Sequence, residues 1–276
     1  MKLSEIYRLI DEKFAPVALS HEYCKRYGAY DNSGILVDTG DEITGVLCTL
    51  DLTTAAIDEA VSLGANLIIT HHPVIYGKIS QVCNVDPLGK KLVRCIRNGI
   101  SVVSMHLNLD LAQGGIDESL RQGICKATAT KTVEAEKLMQ PLTIEGKSGS
   151  VAGAYGRSYA ITPCTLASLK DGLSKEFSTE RIACYGDMDR EIKRVASFCG
   201  AGVDEGTIRF AAQSGADVII SSDYKHHLIG LALEEGLAVV ALTHYASEEY
   251  GFEKFYERIR PALEIPCALH TDDIML

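Results

Sequence analysis

The chain has no long run of Lys or Arg, and 37 acidic against 27 basic residues leave a formal net charge of −10. A general surface for nucleic acid or anionic membrane needs clustered cations, so that balance argues against both. A small basic pocket for a phosphorylated ligand stays compatible with it. No apolar stretch reaches the roughly 18 residues of a membrane span. The first residues enter amphipathic helical spacing (Leu3, Ile6, Leu9, Ile10, Phe14) rather than a charged and then apolar leader, so a soluble, cytoplasmic protein is expected. No C-x-x-C occurs among the nine cysteines, an odd count. Cys48, Cys95 and Cys199 lie in apolar runs, which predicts buried reduced thiols.

Nucleophile motifs are also missing. There is no G-x-S-x-G elbow, and no Cys stands near a His in a recognisable nucleophile context, which disfavours covalent catalysis. Gly146-Lys147-Ser148 ends like a phosphate-binding loop, but Pro141 occupies the place of its first Gly and no apolar strand leads in, so a polar turn is expected. Low-complexity tracts and Pro/Gly-rich linkers are lacking, so two lobes, if present, should be packed rather than tethered.

What is present is an alternation of strand-like and helix-like segments. Gly45–Leu50, Thr53–Leu63 and Ala65–Thr70 read as a βαβ unit, continued by a helix from Pro87, a stop at Gly99 and a strand Ile100–Ser104. A polar, weakly periodic stretch spans 127–149. Beyond it come a strand or hairpin at Ser150–Ile161, a helix at Thr165–Phe177, and strands at Arg181–Tyr185 and Ile192–Phe198. The pattern continues with a helix at Val203–Gln213, a strand at Asp217–Ser221, a helix around Leu228–Glu235, a strand at Leu237–Leu242 and a long helix from Ala246 to Leu263. The expected fold is α/β: two packed α/β lobes with largely parallel sheets, 1–127 and 128–276, and a metal site in the cleft between them. The last helix is placed as a candidate to pack back on the first lobe.

Four strand ends finish in ligand-type residues: Thr70-His71-His72-Pro73, Ser104 to Asp110 with His106, Ser221 to His227, and Thr243 to Glu249. Six of the eight His fall inside them. Ligands gather outside the carboxyl ends of strands in such sheets, so motifs distant in sequence can converge there. Pro73 biases His72 to an extended conformation, which sends His71 and His72 to opposite sides of the chain. His244 and Glu248 are four apart at the start of a helical pattern, one turn apart on one face, able to hold one ion; a solvated helix terminus is the competing reading. His106 and Asp110 are also four apart, but Asn108 and Gln113-Gly114-Gly115 read as a loop. His226-His227 opens a helix with Asp223 as a candidate cap, as compatible with a supporting role as with ligation. Gly200-Ala201-Gly202 reads as a tight strand-to-helix turn more readily than as a phosphate cradle. Mixed His and carboxylate donors suit a borderline or moderately hard divalent ion such as Zn²⁺, Fe²⁺ or Mn²⁺.

Taken in order, Tyr30-Asp31-Asn32-Ser33-Gly34-Ile35-Leu36-Val37, the HHP at His71, the H-L-N-L-D at His106, the S-D-Y-K-H-H ending at His227 and the H-Y-A-S-E at His244 resemble the GTP cyclohydrolase 1 type 2 homologues, the Nif-three-like family, from about residue 1 to 276. The resemblance implies a two-lobed α/β fold assembled into a ring-shaped homohexamer, with two divalent ions per subunit. It implies His71, His72, Asp110, His244 and Glu248 as ligands, Glu248 bridging, His72 and Asp110 on one ion, His71 and His244 on the other. Where the family often has T-G-D, this chain has Ser221-Ser222-Asp223, a departure that bears on the wall of the cleft. Such a site suits a metal-dependent hydrolase of a small molecule, by family name GTP, with His106, His226 or His227 moving protons. A non-catalytic metal-binding adaptor or metal-handling protein is the alternative.

Overall fold

Three buried strands line up with their carboxyl ends level, and that alignment brings distant ligand-type residues together. In the computed structural model, which describes residues 1–40, 42–146 and 149–275, they are β2 (Val46–Thr49), β3 (Leu67–Thr70) and β4 (Ser101–Ser104), running parallel with Thr49 opposite Thr70 and Thr70 opposite Ser104. They come after α1 (Leu3–Lys13), α2 (Val17–Tyr27) and β1 (Gly34–Val37), and are linked by α3 (Thr54–Leu63) and α4 (Pro87–Arg97). Helix α3 starts where the Thr53 side chain accepts a hydrogen bond from the Ala56 N–H and stops at Gly64, whose φ of 68° is left-handed. Asp86 caps α4 through Gly89 N–H, with Pro87 in its first turn.

The sheet order is β1-β4-β3-β2-β11, where β11 (Cys267–His270) pairs parallel to β2, and β1 pairs antiparallel to β4. Leu47, Ile57, Ile68, Leu92 and Val102 form its core with α3 and α4. Each such side chain removed from water stabilises the fold by about 1.5–3 kcal/mol. Beyond β4 the chain makes a short helix, α5 (Leu107–Leu111), and then α6 (Ile116–Ala127).

The second sheet has the order β5-β6-β8-β9-β10-β7. Its strands are β5 (Lys137–Gly146), β6 (Gly149–Thr165), β7 (Ala183–Tyr185), β8 (Glu191–Ser197), β9 (Val218–Ser221) and β10 (Ala238–Ala241), with helices α7 (Leu166–Glu176), α8 (Glu205–Ser214), α9 (His226–Glu234) and α10 (His244–Ile259). This sheet is mixed: β8, β9 and β10 are parallel, while β6 and β7 pair antiparallel to β8 and β10. Phe198, Ile208, Ile219, Leu228 and Val239 form its core.

The chain divides into two compact units, 1–113 with 142–153 and 252–271, and 114–141 with 154–251 and 272–276. Helix α10 therefore contributes its second half, from Phe252, to the unit that holds the first sheet. All nine cysteines are free, with Cys48, Cys95 and Cys199 buried as expected. Among the described residues no helix is long and apolar enough to cross a membrane. Lys147 and Ser148 of the phosphate-loop-like triplet lie outside the described residues.

Candidate metal centre

Because β2, β3 and β4 end level, the residues just past them become neighbours: Asp51 after β2, His71 and His72 after β3, Met105 and His106 after β4. Ring nitrogens of His71, His72 and His106 lie within 4.8 Å of one another. His71 is fully buried, and its Nδ1 sits 2.8 Å from the Met105 carbonyl oxygen. A carbonyl only accepts, so Nδ1 carries a hydrogen, which in the neutral ring leaves the lone pair on Nε2. That Nε2 stands 3.4 Å from Oδ1 of Asp110, itself buried on α5.

The same construction holds the other two rings. Nδ1 of His72 is 2.9 Å from Oδ1 of Asp51, and Nδ1 of His106 is 2.7 Å from Oδ1 of Asp31. Asp31 also accepts from the hydroxyls of Ser20 at 2.5 Å and Ser33 at 2.6 Å. Burial alone would raise its pKa, but the hydrogen bonds from His106, Ser20 and Ser33 outweigh it and hold the carboxyl well below the usual carboxylate range. For His106, burial works against the charged ring; the Asp31 hydrogen bond and the charges of Asp110 and Asp31 outweigh it and raise the pKa.

The expected loop at His106–Asp110 is instead the helix α5, with all five of its residues buried. Asn108, which argued for a loop, anchors that turn by donating from Nδ2 to the Ala15 carbonyl at 2.7 Å.

In the second unit, β9 and β10 also end level, Ser221 opposite Ala241, so that Asp223 and His244 emerge together. His244 Nδ1 lies 2.6 Å from Asp223 Oδ2, and its Nε2 lies 3.0 Å from Oε2 of Glu248, one turn along α10. Asp223 is held at φ 52°, a left-handed conformation uncommon outside Gly and Asn/Asp. It therefore orients His244 and does not cap α9, whose N-cap is Lys225. His226 and His227 sit exposed in the first turn of α9, and neither ring makes a hydrogen bond or ion pair among the described residues.

Gly200 explains the Gly-x-Gly turn. Its φ is 56°, and a Cβ there would fall on Oε1 of Glu248. The backbone approaches the buried carboxylate as only Gly permits. Gly202 likewise leaves room for the Tyr155 hydroxyl, which donates to the Cys199 carbonyl at 2.6 Å.

A divalent cation fits this chemistry. With Nδ1 of His71 and His244 committed as donors, Nε2 of each neutral ring and the buried carboxylate oxygen beside it can both face one cation. An imidazole whose Nδ1–H is held by a carbonyl or carboxylate is also the usual outer support of a metal-ligating His. Sequence reasoning brought forward the His residues and Asp110, but missed Asp51 and the orienting roles of Asp31 and Asp223. Asp51 had a readable signal, being the ligand-type residue at the end of the preceding strand.

Fold and donors thus define an α/β protein with His and carboxylate groups suited to metal at its strand ends. The chain belongs to the Duf34/NIF3 (NGG1p interacting factor 3) family, which matches over residues 1–271. A Clostridium perfringens protein named GTP cyclohydrolase 1 type 2 homolog is 30% identical over 268 residues, covering 96% of this chain and 93% of the relative. Reduced HcgD from Methanocaldococcus jannaschii has a similar structure, with TM-score 0.76, 27% identity, and coverage of 98% of this chain and 97% of that one. A Bacillus cereus protein related to NIF3 shares the fold at TM-score 0.78 and 19% identity, over 97% and 96% of the two chains.

Proposed function

We propose that this protein is a dinuclear, divalent-metal-dependent hydrolase acting on a small molecule, a nucleotide or related compound. His71, His72, Asp110, His244 and Glu248 are its ligands, with Glu248 shared by the two ions. The observation that carries the reading is the uniform Nδ1 anchoring of His71, His72 and His244, which turns three Nε2 lone pairs outward from fixed supports. The two donor sets, one on each unit, are taken to serve one centre. Zn²⁺, Fe²⁺ and Mn²⁺ all suit such donors, and when bound they supply Lewis acidity that makes water a nucleophile near neutral pH.

The chain's own residues do the rest. His106 is the proton-transfer group, because Asp31 fixes its ring beside His71 and His72 and, with Asp110, raises its pKa. His226 and His227 rank behind it, having no hydrogen-bond partner among the described residues to orient them. Buried Asp110 and Glu248 place negative charge beside the imidazoles, which favours a cation and disfavours water-filled relaxation of the pocket.

The test is metal analysis of untagged protein together with a turnover panel of GTP, other nucleotides, phosphoesters and cyclic amides. Two equivalents of metal per chain, turnover by the loaded protein, and loss of both in Glu248→Ala and His72→Ala support the reading. Tight metal with no turnover across the panel replaces it with a non-catalytic metal-binding adaptor. The ring-shaped homohexamer implied by the family belongs to the same proposal and is read by light scattering.

A further inference from the structure

Helix α4 carries four cations and no acid in eleven residues, in a chain whose acids outnumber its bases by ten. Lys90 and Arg94 are four apart, Lys91 and Arg94 three apart, Arg94 and Arg97 three apart. Like charges at these spacings repel one another along a helix. The macrodipole accounts for Arg94 and Arg97 near the C-terminus but gives no support to Lys90 and Lys91. Arg94 pairs with Asp58 of α3. Among the described residues, Lys90, Lys91 and Arg97 make no ion pair.

These four side chains line a cavity of about 350 Å³, with the half-buried Val93 as an apolar contact and the buried Ile57 beneath it. That size is at the lower end for small-molecule sites, which typically combine an apolar floor with a few convergent polar groups. The arrangement costs the helix stability and is explained by a ligand that neutralises it.

We propose that the cavity between α3 and α4 binds a small organic phosphate: an anionic group held by Lys90, Lys91 and Arg97, and an apolar or planar body laid on Val93. Arg94 stays with Asp58 and closes one side. The site is built from other residues than the metal ligands, so its occupancy does not require that centre.

The test uses phenylphosphonate, which has both parts and a C–P bond that hydrolases do not cleave, with inorganic phosphate as comparison, in calorimetric titrations of the intact protein at low salt. The expected result is saturable binding of phenylphosphonate, at least about tenfold tighter than inorganic phosphate. A Lys91→Gln/Arg97→Gln double variant should lose about tenfold or more, as removal of two charged donors predicts. His72→Ala should leave binding unchanged. A charge-conserving Lys91→Arg variant should retain it, which separates charge from local packing. Absence of saturable binding, equal affinity for both anions, indifference to the double variant, or loss in His72→Ala would each overturn the proposal.

Discussion

His244 donates its Nδ1 hydrogen to Asp223 at 2.6 Å, and Asp223 takes a left-handed backbone conformation to receive it. Non-glycine residues persist there only when their surroundings over-determine them, and they cluster at functional positions. Asp223→Ala should cost about 10–100-fold in metal affinity, the usual effect of removing such a support. Competition with a fluorescent chelator measures it. An unchanged affinity would show that His244 needs no orientation.

Gly200→Ala adds a methyl where the Glu248 carboxylate stands, at φ 56°. The left-handed backbone alone costs about 1–2 kcal/mol for an L side chain. Gly215 offers the control: its φ is 79° and nothing lies within 4 Å of a Cβ placed there. Urea unfolding should therefore show Gly200→Ala losing more than Gly215→Ala, with metal content falling only in the former. Equal losses and intact metal would mean that the carboxylate has room to move.

Asp31 has a folded pKa below its ordinary value of 3.8. A depressed carboxyl contributes stability that is present above 3.8 and is lost as pH falls through the folded value. Chelated protein should accordingly lose stability on acidification, and Asp31→Asn should flatten that dependence between about pH 2 and 5. Parallel acid limbs for the two proteins would contradict the depressed value.

Arg157 and Asp117 form a buried pair in the second unit, Nε to Oδ2 at 2.6 Å, with Asp117 fully buried. Charges of Asp117, Glu136 and Glu118 outweigh the burial that would lower the Arg157 pKa. Asp117→Ala leaves the guanidinium without its closest partner, and about 3–5 kcal/mol of unfolding free energy should go with it. Thermal and denaturant unfolding would read the loss. Less than about 1 kcal/mol would mean that Glu136 and Glu118 take over.

The interior was legible and the margins were not. Strands β2, β3, β4, β9 and β10 announce themselves as short apolar runs because helices or neighbouring strands cover them on every side. The strands without such a signature, β1, β5 and β11, lie at the ends of their sheets. An edge strand tolerates polar residues and even Pro141, because one of its flanks makes no ladder. Helix α6 carries Gly123 because the packing demands it: a Cβ there would strike the Phe177 ring.

For the site, residue type and strand-end position were enough to pick out His71, His72, His106 and His244. They could not reveal which carboxylate turns each ring. Asp51, Asp31 and Asp223 are matched to their imidazoles by strand register and by one left-handed residue, neither of which a linear pattern records.

Strand β11 places residues 267–270 beside β2, more than two hundred positions away. During synthesis the flank of β2 stays uncovered until residues 267–270 have been made. The first sheet is thus closed by its last-made strand, and removing residues 267–270 would leave a sticky edge on an otherwise finished layer.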